Sequence, residues 1–148
     1  MSVAVQITRL PHSDGLPLPR YATAGSVGMD VYAAVDAALT VAPGACVLVP
    51  TGLSVALPAD YEFQVRPRSG LALNKSVTVG NSPGTIDDDF RGQLQIILIN
   101  HGVEDFIIHR GDRIAQLVLA PVVRARWDEV DALPLSRRGD GGFGSTGT

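Results

Sequence analysis

Residues 61–66 read Tyr-Glu-Phe-Gln-Val-Arg and alternate apolar and polar side chains without a break. This period of two is typical of a strand with one buried face, because successive side chains of a strand point to opposite sides. The first residues of the chain repeat the pattern at Val3, Val5 and Ile7. Eight further strands are predicted, at residues 29–34, 46–49, 53–57, 76–79, 93–100, 106–109, 114–119 and 125–130.

Turn signals separate the predicted strands, among them Pro43-Gly44, residues 50–52 (Pro-Thr-Gly) and residues 110–112 (Arg-Gly-Asp). Many short strands at regular spacing predict an all-β fold, a jelly-roll-like β-barrel or sandwich. Only residues 69–75, Ser-Gly-Leu-Ala-Leu-Asn-Lys, have the pattern of a helix, with Ser69 as its N-cap. The fold is therefore expected to contain one short helix.

The composition supports one domain and excludes several kinds of protein. A chain of 148 residues can bury a core without disulfides, and 45% apolar with only 5% aromatic residues predicts an aliphatic core. The net charge of -3 provides no general attraction to duplex nucleic acid or an anionic membrane, so neither partner is expected. The single Cys46 excludes an internal disulfide and a Cys-rich zinc site. Without a signal peptide or a membrane span, we expect a soluble, cytoplasmic protein.

The last fourteen residues differ in composition from the rest, because five of them are Gly and Phe143 is their only aromatic residue. Ordering such a segment costs about 1 to 2 kcal/mol per residue, and more for Gly, with little apolar surface to bury in return. The sequence therefore predicts a domain at residues 1–134 and a mobile C-terminal tail at residues 135–148. A frayed terminus is the alternative, but Phe143 needs a surface to stack on, and a nucleobase would serve.

Five segments combine Gly with charged or hydroxyl residues in ways that a β-sandwich core does not require, at residues 24–30, 66–72, 81–92, 110–116 and 138–148. In the second, Arg66-Pro67-Arg68-Ser69-Gly70 places two guanidinium groups beside free backbone N–H groups, which favours phosphate binding. The alternative is an ordinary helix start whose arginines pair with surface carboxylates.

The third segment contains three adjacent carboxylates, Asp87, Asp88 and Asp89. Like charges repel, so such a run is found at an exposed turn or where a cation or a reaction requires it. Strand alternation would place Asp87 and Phe90 on opposite faces. If both serve one site, the segment must be a hairpin or a loop, which Gly84 and Gly92 at its ends permit.

In order and spacing, the five segments resemble the conserved motifs of the homotrimeric dUTPases, the deoxyuridine triphosphate nucleotidohydrolases. The resemblance runs from about Tyr21 to Thr148, and the final Arg-Gly-Asp-Gly-Gly-Phe-Gly-Ser-Thr-Gly is its most specific part. It implies a jelly-roll subunit in a homotrimer, with active sites at the interfaces and each closed by the tail of a neighbouring subunit. It also implies hydrolysis of dUTP to dUMP and pyrophosphate, which limits uracil incorporation into DNA and supplies dUMP for dTMP synthesis.

The same resemblance implies a role for each site residue. Asp87 matches the catalytic carboxylate that orients and deprotonates the attacking water, and Phe90 replaces the more usual Tyr against the deoxyribose. Mg²⁺ is the implied cofactor, held by the triphosphate and water without a direct protein ligand and with Asp30 nearby. The implied substrate-binding residues are Arg68, Ser69, Gly70, Asn81, Gly84, Thr85, Ile86, Phe90, Gln116, Arg138, Phe143, Gly144, Ser145 and Thr146.

Other functions remain open at this point. The dCTP deaminases share the fold and resemble the second and third segments, but they do not predict the Gly-Gly-Phe-Gly tail. Zinc-type deamination requires a Pro-Cys-x-x-Cys run, which a chain with one Cys excludes. Two alternatives are not enzymes: an adhesion ligand, from the Arg-Gly-Asp tripeptides at residues 110–112 and 138–140, and a trimeric scaffold that only binds nucleotides. Trp127 is predicted to lie in the core or an interface.

Overall fold

A computed structural model describes residues 2–143 and residue 145, and it confirms the predicted all-β class. The one α-helix among these residues is α1 (Ser69–Lys75), as the sequence predicts, and a 3-10 turn covers Pro11–Ser13. The strands are β1 (Gln6–Arg9), β2 (Arg20–Tyr21), β3 (Met29–Tyr32), β4 (Leu39–Val41), β5 (Cys46–Ala56), β6 (Tyr61–Arg66), β7 (Val77–Val79), β8 (Gly84–Ile86), β9 (Gln93–Asn100), β10 (Phe106–Ile108) and β11 (Arg113–Pro121).

The strands form two larger antiparallel sheets, in the orders β1-β5-β9-β7 and β2-β3-β11-β6-β8, and a small sheet of β10 and β4. Both larger sheets contribute to one buried aliphatic cluster, which includes Leu94 and Leu98 from one sheet and Val65 and Leu117 from the other. Phe63 is buried with them, as the alternation in β6 predicts. In the part of the chain that is described, no helix has the length and apolar character needed to cross a membrane.

The turn expected at residues 50–52 is instead a bulge within one long strand. The pairing of β5 with β9 shifts between Pro50, opposite Gln95, and Ser54, opposite Gln93. Gly52 takes a left-handed φ of 66°, and the Thr51 hydroxyl donates to the carbonyl of Leu94 at 2.6 Å. The predicted strands at residues 46–49 and 53–57 therefore form a single strand, because Pro and Gly here interrupt the ladder without reversing the chain.

The strand predicted at residues 125–130 is wrong. These residues are exposed and pair with no strand of the described chain. Their backbone therefore lacks the hydrogen bonds to a neighbouring strand that define a strand in a sheet. Trp127 is 91% exposed, which also overturns its expected place in the core of the subunit, while its place in an interface stays a prediction. Conversely, the short strands β2, β4 and β8 were not predicted, since two or three residues show no clear period.

Candidate active site

Strand β6 organises the site because it lies between β8 and β11. On one side Val65 is opposite Gly84; on the other, Arg66 is opposite Gln116, which is itself opposite Asp30 of β3. The sheet thus brings the first, second and fourth Gly-containing segments together at the C-terminal end of β6. The third segment runs along the other edge of the same strand.

At that end, two arginines bind one carboxylate. Arg68 Nε donates to Asp30 Oδ1 at 2.9 Å, and Arg113 Nη1 donates to Asp30 Oδ2 at 3.2 Å. Arg68 also donates from Nη1 to the carbonyl of Arg113 at 3.3 Å. The Asp30 side chain is only 18% exposed, so it orients both guanidinium groups. Two cations on one carboxylate leave this group with a net positive charge, which favours an anion beside it.

The side chain of Gln116 occupies a space beside Gly28, the residue before β3, that is open because Gly28 has no side chain. Its amide Nε2 donates to the carbonyl of Pro67 at 3.0 Å. A Cβ on Gly28 would overlap this side chain, with Cδ of Gln116 2.9 Å away. Gly28 therefore positions Gln116, a role that the spacing of the motif alone did not reveal.

Helix α1 begins at Ser69, one residue earlier than a Ser69 N-cap implies. Arg68 is the N-cap, with φ −92° and ψ 128°, and its carbonyl accepts from the N–H of Ala72 at 3.1 Å. Ser69 as N-cap is therefore wrong, because the extended backbone ends at Arg68, whose guanidinium is bound to Asp30. No side chain caps the helix, and Ser69 and Gly70 are exposed at its start.

The acidic segment forms a turn after β8, as required if Asp87 and Phe90 are to serve one site. The N–H of Phe90 donates to the carbonyl of Asp87 at 3.3 Å. The Arg91 side chain folds back and donates from Nη1 to the carbonyls of Asp88, at 2.6 Å, and Phe90, at 2.9 Å. These bonds fix the backbone of the turn, while the carboxylates of Asp87 and Asp89 are exposed.

Asp88 differs from its two neighbours because it is tied to the protein. Its Oδ2 accepts from the N–H of Asp60 at 3.3 Å and lies 3.5 Å from Arg124 Nη2, and its side chain is 22% exposed. Arg124 also binds Asp60, at 2.6 Å. One of the three carboxylates thus anchors the turn to the chain after β11, a pairing that sequence reasoning missed because the partners lie 28 and 36 positions away.

The other predicted residues of the third segment lie on or before β8. Asn81 is exposed in the loop after β7, with its side-chain amide close to buried Gly84. Thr85 is exposed and Ile86 is half-buried in the strand itself. The segment therefore presents polar groups and a strand edge beside the turn that holds Asp87.

Two groups of charged residues lie at opposite ends of β6 within one chain. They are the acidic turn, residues 87–90, and the arginine cluster, formed by Arg68, Arg113 and Asp30. Ile86 is opposite Phe63, so Asp87 lies level with Glu62, whereas Arg68 lies beyond Arg66. Six residues of extended chain separate Glu62 from Arg68, which is about 20 Å. Asp87 and Arg68 of the same chain are therefore too far apart to contact one phosphate group.

In the described part of the fifth segment, the hydrogen bonds join residues of the tail to one another. Among the described residues, Arg138 Nε donates to the carbonyl of Gly141 at 2.8 Å, and the N–H of Ser145 donates to the carbonyl of Gly142 at 3.0 Å. Phe143 is fully exposed. The remaining predicted tail residues, Gly144 and Thr146, lie outside the described residues.

The side chains around Asp30 determine whether this part of the protein could ligate Mg²⁺ directly. Among the described residues, no group of three His, Cys, Asp or Glu side chains is arranged to hold a metal ion. Both carboxylate oxygens of Asp30 accept from arginines, which leaves this residue close to an anion site rather than free as a ligand. An Mg²⁺ ion that is bound by phosphate oxygens and water requires no direct ligand from Asp30.

Comparison with known proteins shows the family of the chain. A family model described as dUTPase matches residues 14–147. The chain belongs to the dUTPase family. The deoxyuridine 5'-triphosphate nucleotidohydrolase of Anaplasma marginale (strain St. Maries) is 55% identical over 144 residues, which cover 97% of this chain and 98% of the relative. The family expected from the five segments is confirmed, and with it the activity class: the protein is a dUTP nucleotidohydrolase.

Solved dUTPase structures share the fold. A point mutant of the Staphylococcus bacteriophage 80alpha dUTPase with dUpNHpp superposes with a TM-score of 0.87 at 22% identity, covering 98% of this chain and 99% of the phage chain. A mutant dUTPase from phage phi11 of S. aureus, in which a structural Mg(II) ion is coordinated, has a TM-score of 0.78 at 19% identity and covers 88% of this chain and 98% of the phage chain.

Proposed function

We propose that this dUTPase hydrolyses dUTP to dUMP and pyrophosphate by attack of water on the α-phosphorus, with Asp87 as the general base. The position of Asp87 carries the proposal. Its carboxylate is exposed and forms no ion pair with the described residues, while the turn beneath it is held by Arg91 and Asp88. A general base must be free to accept a proton, and an exposed carboxylate on a turn whose backbone is hydrogen-bonded supports that role for Asp87.

The arginine cluster supports binding of the triphosphate. Arg68 is oriented by Asp30, and Gln116 by Pro67, so both reach the phosphate chain with little loss of side-chain freedom. The Ser69 hydroxyl and the N–H groups of Ser69 and Gly70 complete the turn. From the tail, Arg138 contributes to the γ-phosphate, with Ser145 and Thr146 as further phosphate contacts.

Uracil recognition is assigned to the segment around β8. Uracil offers O4 as an acceptor and N3–H as a donor, while cytosine reverses both, so a polar site built for one rejects the other by roughly 10⁴ to 10⁵. Asn81 and the backbone of Gly84, Thr85 and Ile86 supply these polar groups. Phe90 packs against the deoxyribose and leaves no room for a 2'-hydroxyl, and in the closed site Phe143 and Gly144 cover the base.

The separation along β6 supports a site shared between chains. One nucleotide must contact both the acidic turn and the arginine cluster, yet these lie about 20 Å apart in a single chain. Exposed apolar side chains after β11, including Val123, Trp127 and Leu133, support coverage of that segment by another chain. We therefore propose a homotrimer in which the tail, residues 135–148, is mobile and closes over the site of a neighbouring subunit.

Mg²⁺ is proposed as the cofactor, bound through the phosphate oxygens and water near Asp30. When bound, the ion neutralises charge on the pyrophosphate leaving group. In the cell, this reaction would limit uracil incorporation into DNA and supply dUMP for dTMP synthesis. The unpaired Cys46, exposed to solvent, supports a reducing compartment such as the cytoplasm.

Incubation with Mg²⁺ and each deoxynucleoside triphosphate in turn tests the proposal, with pyrophosphate and ammonia assayed separately. We expect pyrophosphate from dUTP and no ammonia from any substrate. Ammonia from dCTP would identify a deaminase and contradict the proposal. The Asp87→Asn protein, purified in parallel, controls for contaminating phosphatases.

A further inference from the structure

The Phe90 ring packs over a residue that has no side chain. A Cβ on Gly92 would lie 2.6 Å from Cζ of Phe90, closer than real Cβ contacts allow, and 3.0 Å from Cε2, which is also tight. Phe90 is 40% exposed, so the rest of its ring remains available to a ligand. The tip of the ring therefore occupies the space that any other residue at position 92 would fill.

Packing must fix this ring, because a phenylalanine has no hydroxyl with which to form a hydrogen bond. The backbone at Phe90 is already held by the Arg91 side chain, which donates to the carbonyls of Asp88 and Phe90. With the backbone fixed, the remaining freedom is rotation of the side chain. Contact with the backbone of Gly92 restricts that rotation.

Backbone conformation does not explain the glycine. The φ of Gly92 lies outside the left-handed region, unlike that of Gly52 or Gly111. An alanine at position 92 is therefore compatible with the local backbone, and the atoms nearest to its methyl group would be those at the far end of the partly exposed Phe90 side chain. The predicted result of the substitution is displacement of the ring, with little strain elsewhere.

We propose that Gly92 is a positioning residue for sugar selectivity, because its lack of a side chain places the Phe90 ring where a 2'-hydroxyl would otherwise fit. This inference rests on the proposed function, in which Phe90 packs against the deoxyribose. It adds a second residue to the discrimination between dUTP and UTP. Gly92 itself touches no substrate.

The test compares kcat/KM for dUTP and UTP in the wild-type protein and in Gly92→Ala, with Tm measured for both. We expect the dUTP-to-UTP ratio to fall about 10-fold or more, mainly through faster use of UTP. The Tm should change by no more than a few degrees. An equal fall in kcat/KM for both substrates, or an unchanged ratio, would overturn the proposal.

A double-mutant cycle separates the ring from other effects of the substitution. Phe90→Leu removes the ring, so Gly92→Ala should change the ratio little in that background. An effect as large as in the wild-type background would overturn the proposal. If Gly92→Ala alone does not fold, a folded Phe90→Leu/Gly92→Ala protein supports the contact, and failure of both to fold overturns it. Lack of dUTP hydrolysis by the wild-type protein would instead contradict the proposed function.

Discussion

The two ends of β6 are built by different physical means. At the C-terminal end, Asp30, Arg68 and Arg113 are joined by charged hydrogen bonds of 2.9 to 3.3 Å. At the N-terminal end, the backbone of the turn is bonded but the carboxylate of Asp87 is exposed. A binding group gains from being oriented in advance, whereas a base must stay free to accept a proton. The comparison therefore predicts that substitutions at the acidic end affect turnover and those at the arginine end affect binding.

The largest effect is expected from Asp87→Asn. Loss of the general base should reduce kcat by roughly 10² to 10⁴, while the affinity for a non-hydrolysable dUTP analogue remains nearly unchanged. Steady-state kinetics and calorimetry would measure the two quantities. Asp105→Asn, an equally exposed carboxylate after β9, is the matched control. Near-normal turnover of the Asp87 variant would remove this residue from the base role.

Truncation after Leu135 removes the C-terminal tail, which is part of neither the acidic turn nor the arginine cluster. We expect a folded assembly of unchanged size whose kcat/KM for dUTP is about 10²-fold lower, because closure over the nucleotide is lost. Light scattering and pyrophosphate release would measure size and activity. A fully active truncated protein would contradict the closing role of the tail.

Asp30→Asn tests the arginine end. Without the carboxylate, Arg68 and Arg113 lose the charged partner that orients them, and KM for dUTP should rise about 10-fold with a smaller change in kcat. Asp36→Asn removes the same charge at an exposed position just after β3 and should leave both constants unchanged. A fall in kcat with constant KM would contradict the proposal that the arginine end affects binding and the acidic end affects turnover.

Arg124→Gln should have the smallest effect. The side chains of Arg124 and Asp60 are largely exposed, and ion pairs of an exposed arginine stabilise a protein by about 1 kcal/mol or less. We expect kcat/KM within about 3-fold of the wild-type value and a small decrease in Tm. A loss as large as that of Asp87→Asn would show that the Asp88 anchor controls the position of the base.

Much of the fold was predictable where the signal is local. The alternation in β6 and the bounds of α1 follow from residues that are neighbours in sequence. The bulge in β5 was not, because Pro and Gly indicate a break in pairing without deciding whether the chain reverses. The exposed segment at residues 125–130 has apolar residues typical of a strand but no partner strand among the described residues.

The site was predictable as a set of residues but not as an arrangement. The five segments identify Asp87, Arg68 and Gln116, but not the contacts Gly28–Gln116 and Gly92–Phe90, which depend on atoms brought together by folding. The same holds for the pairing of Asp88 with Arg124. Local sequence carries residue type and spacing, whereas these contacts depend on sheet register and on side-chain direction.

Mixing two variants, each impaired at one of the two groups and assayed at low dUTP concentration, tests the division of the site between chains most directly. Asp87→Asn and Arg68→Ala proteins would be co-expressed with different tags, and the mixed assemblies purified and assayed for dUTP hydrolysis. If each site takes its carboxylate and its arginine from different chains, every mixed trimer of either two-to-one composition has one intact site of three, and activity returns to about one third of wild type. Activity no higher than that of the separate variants would show that both groups act within one chain, contrary to the separation of about 20 Å along β6.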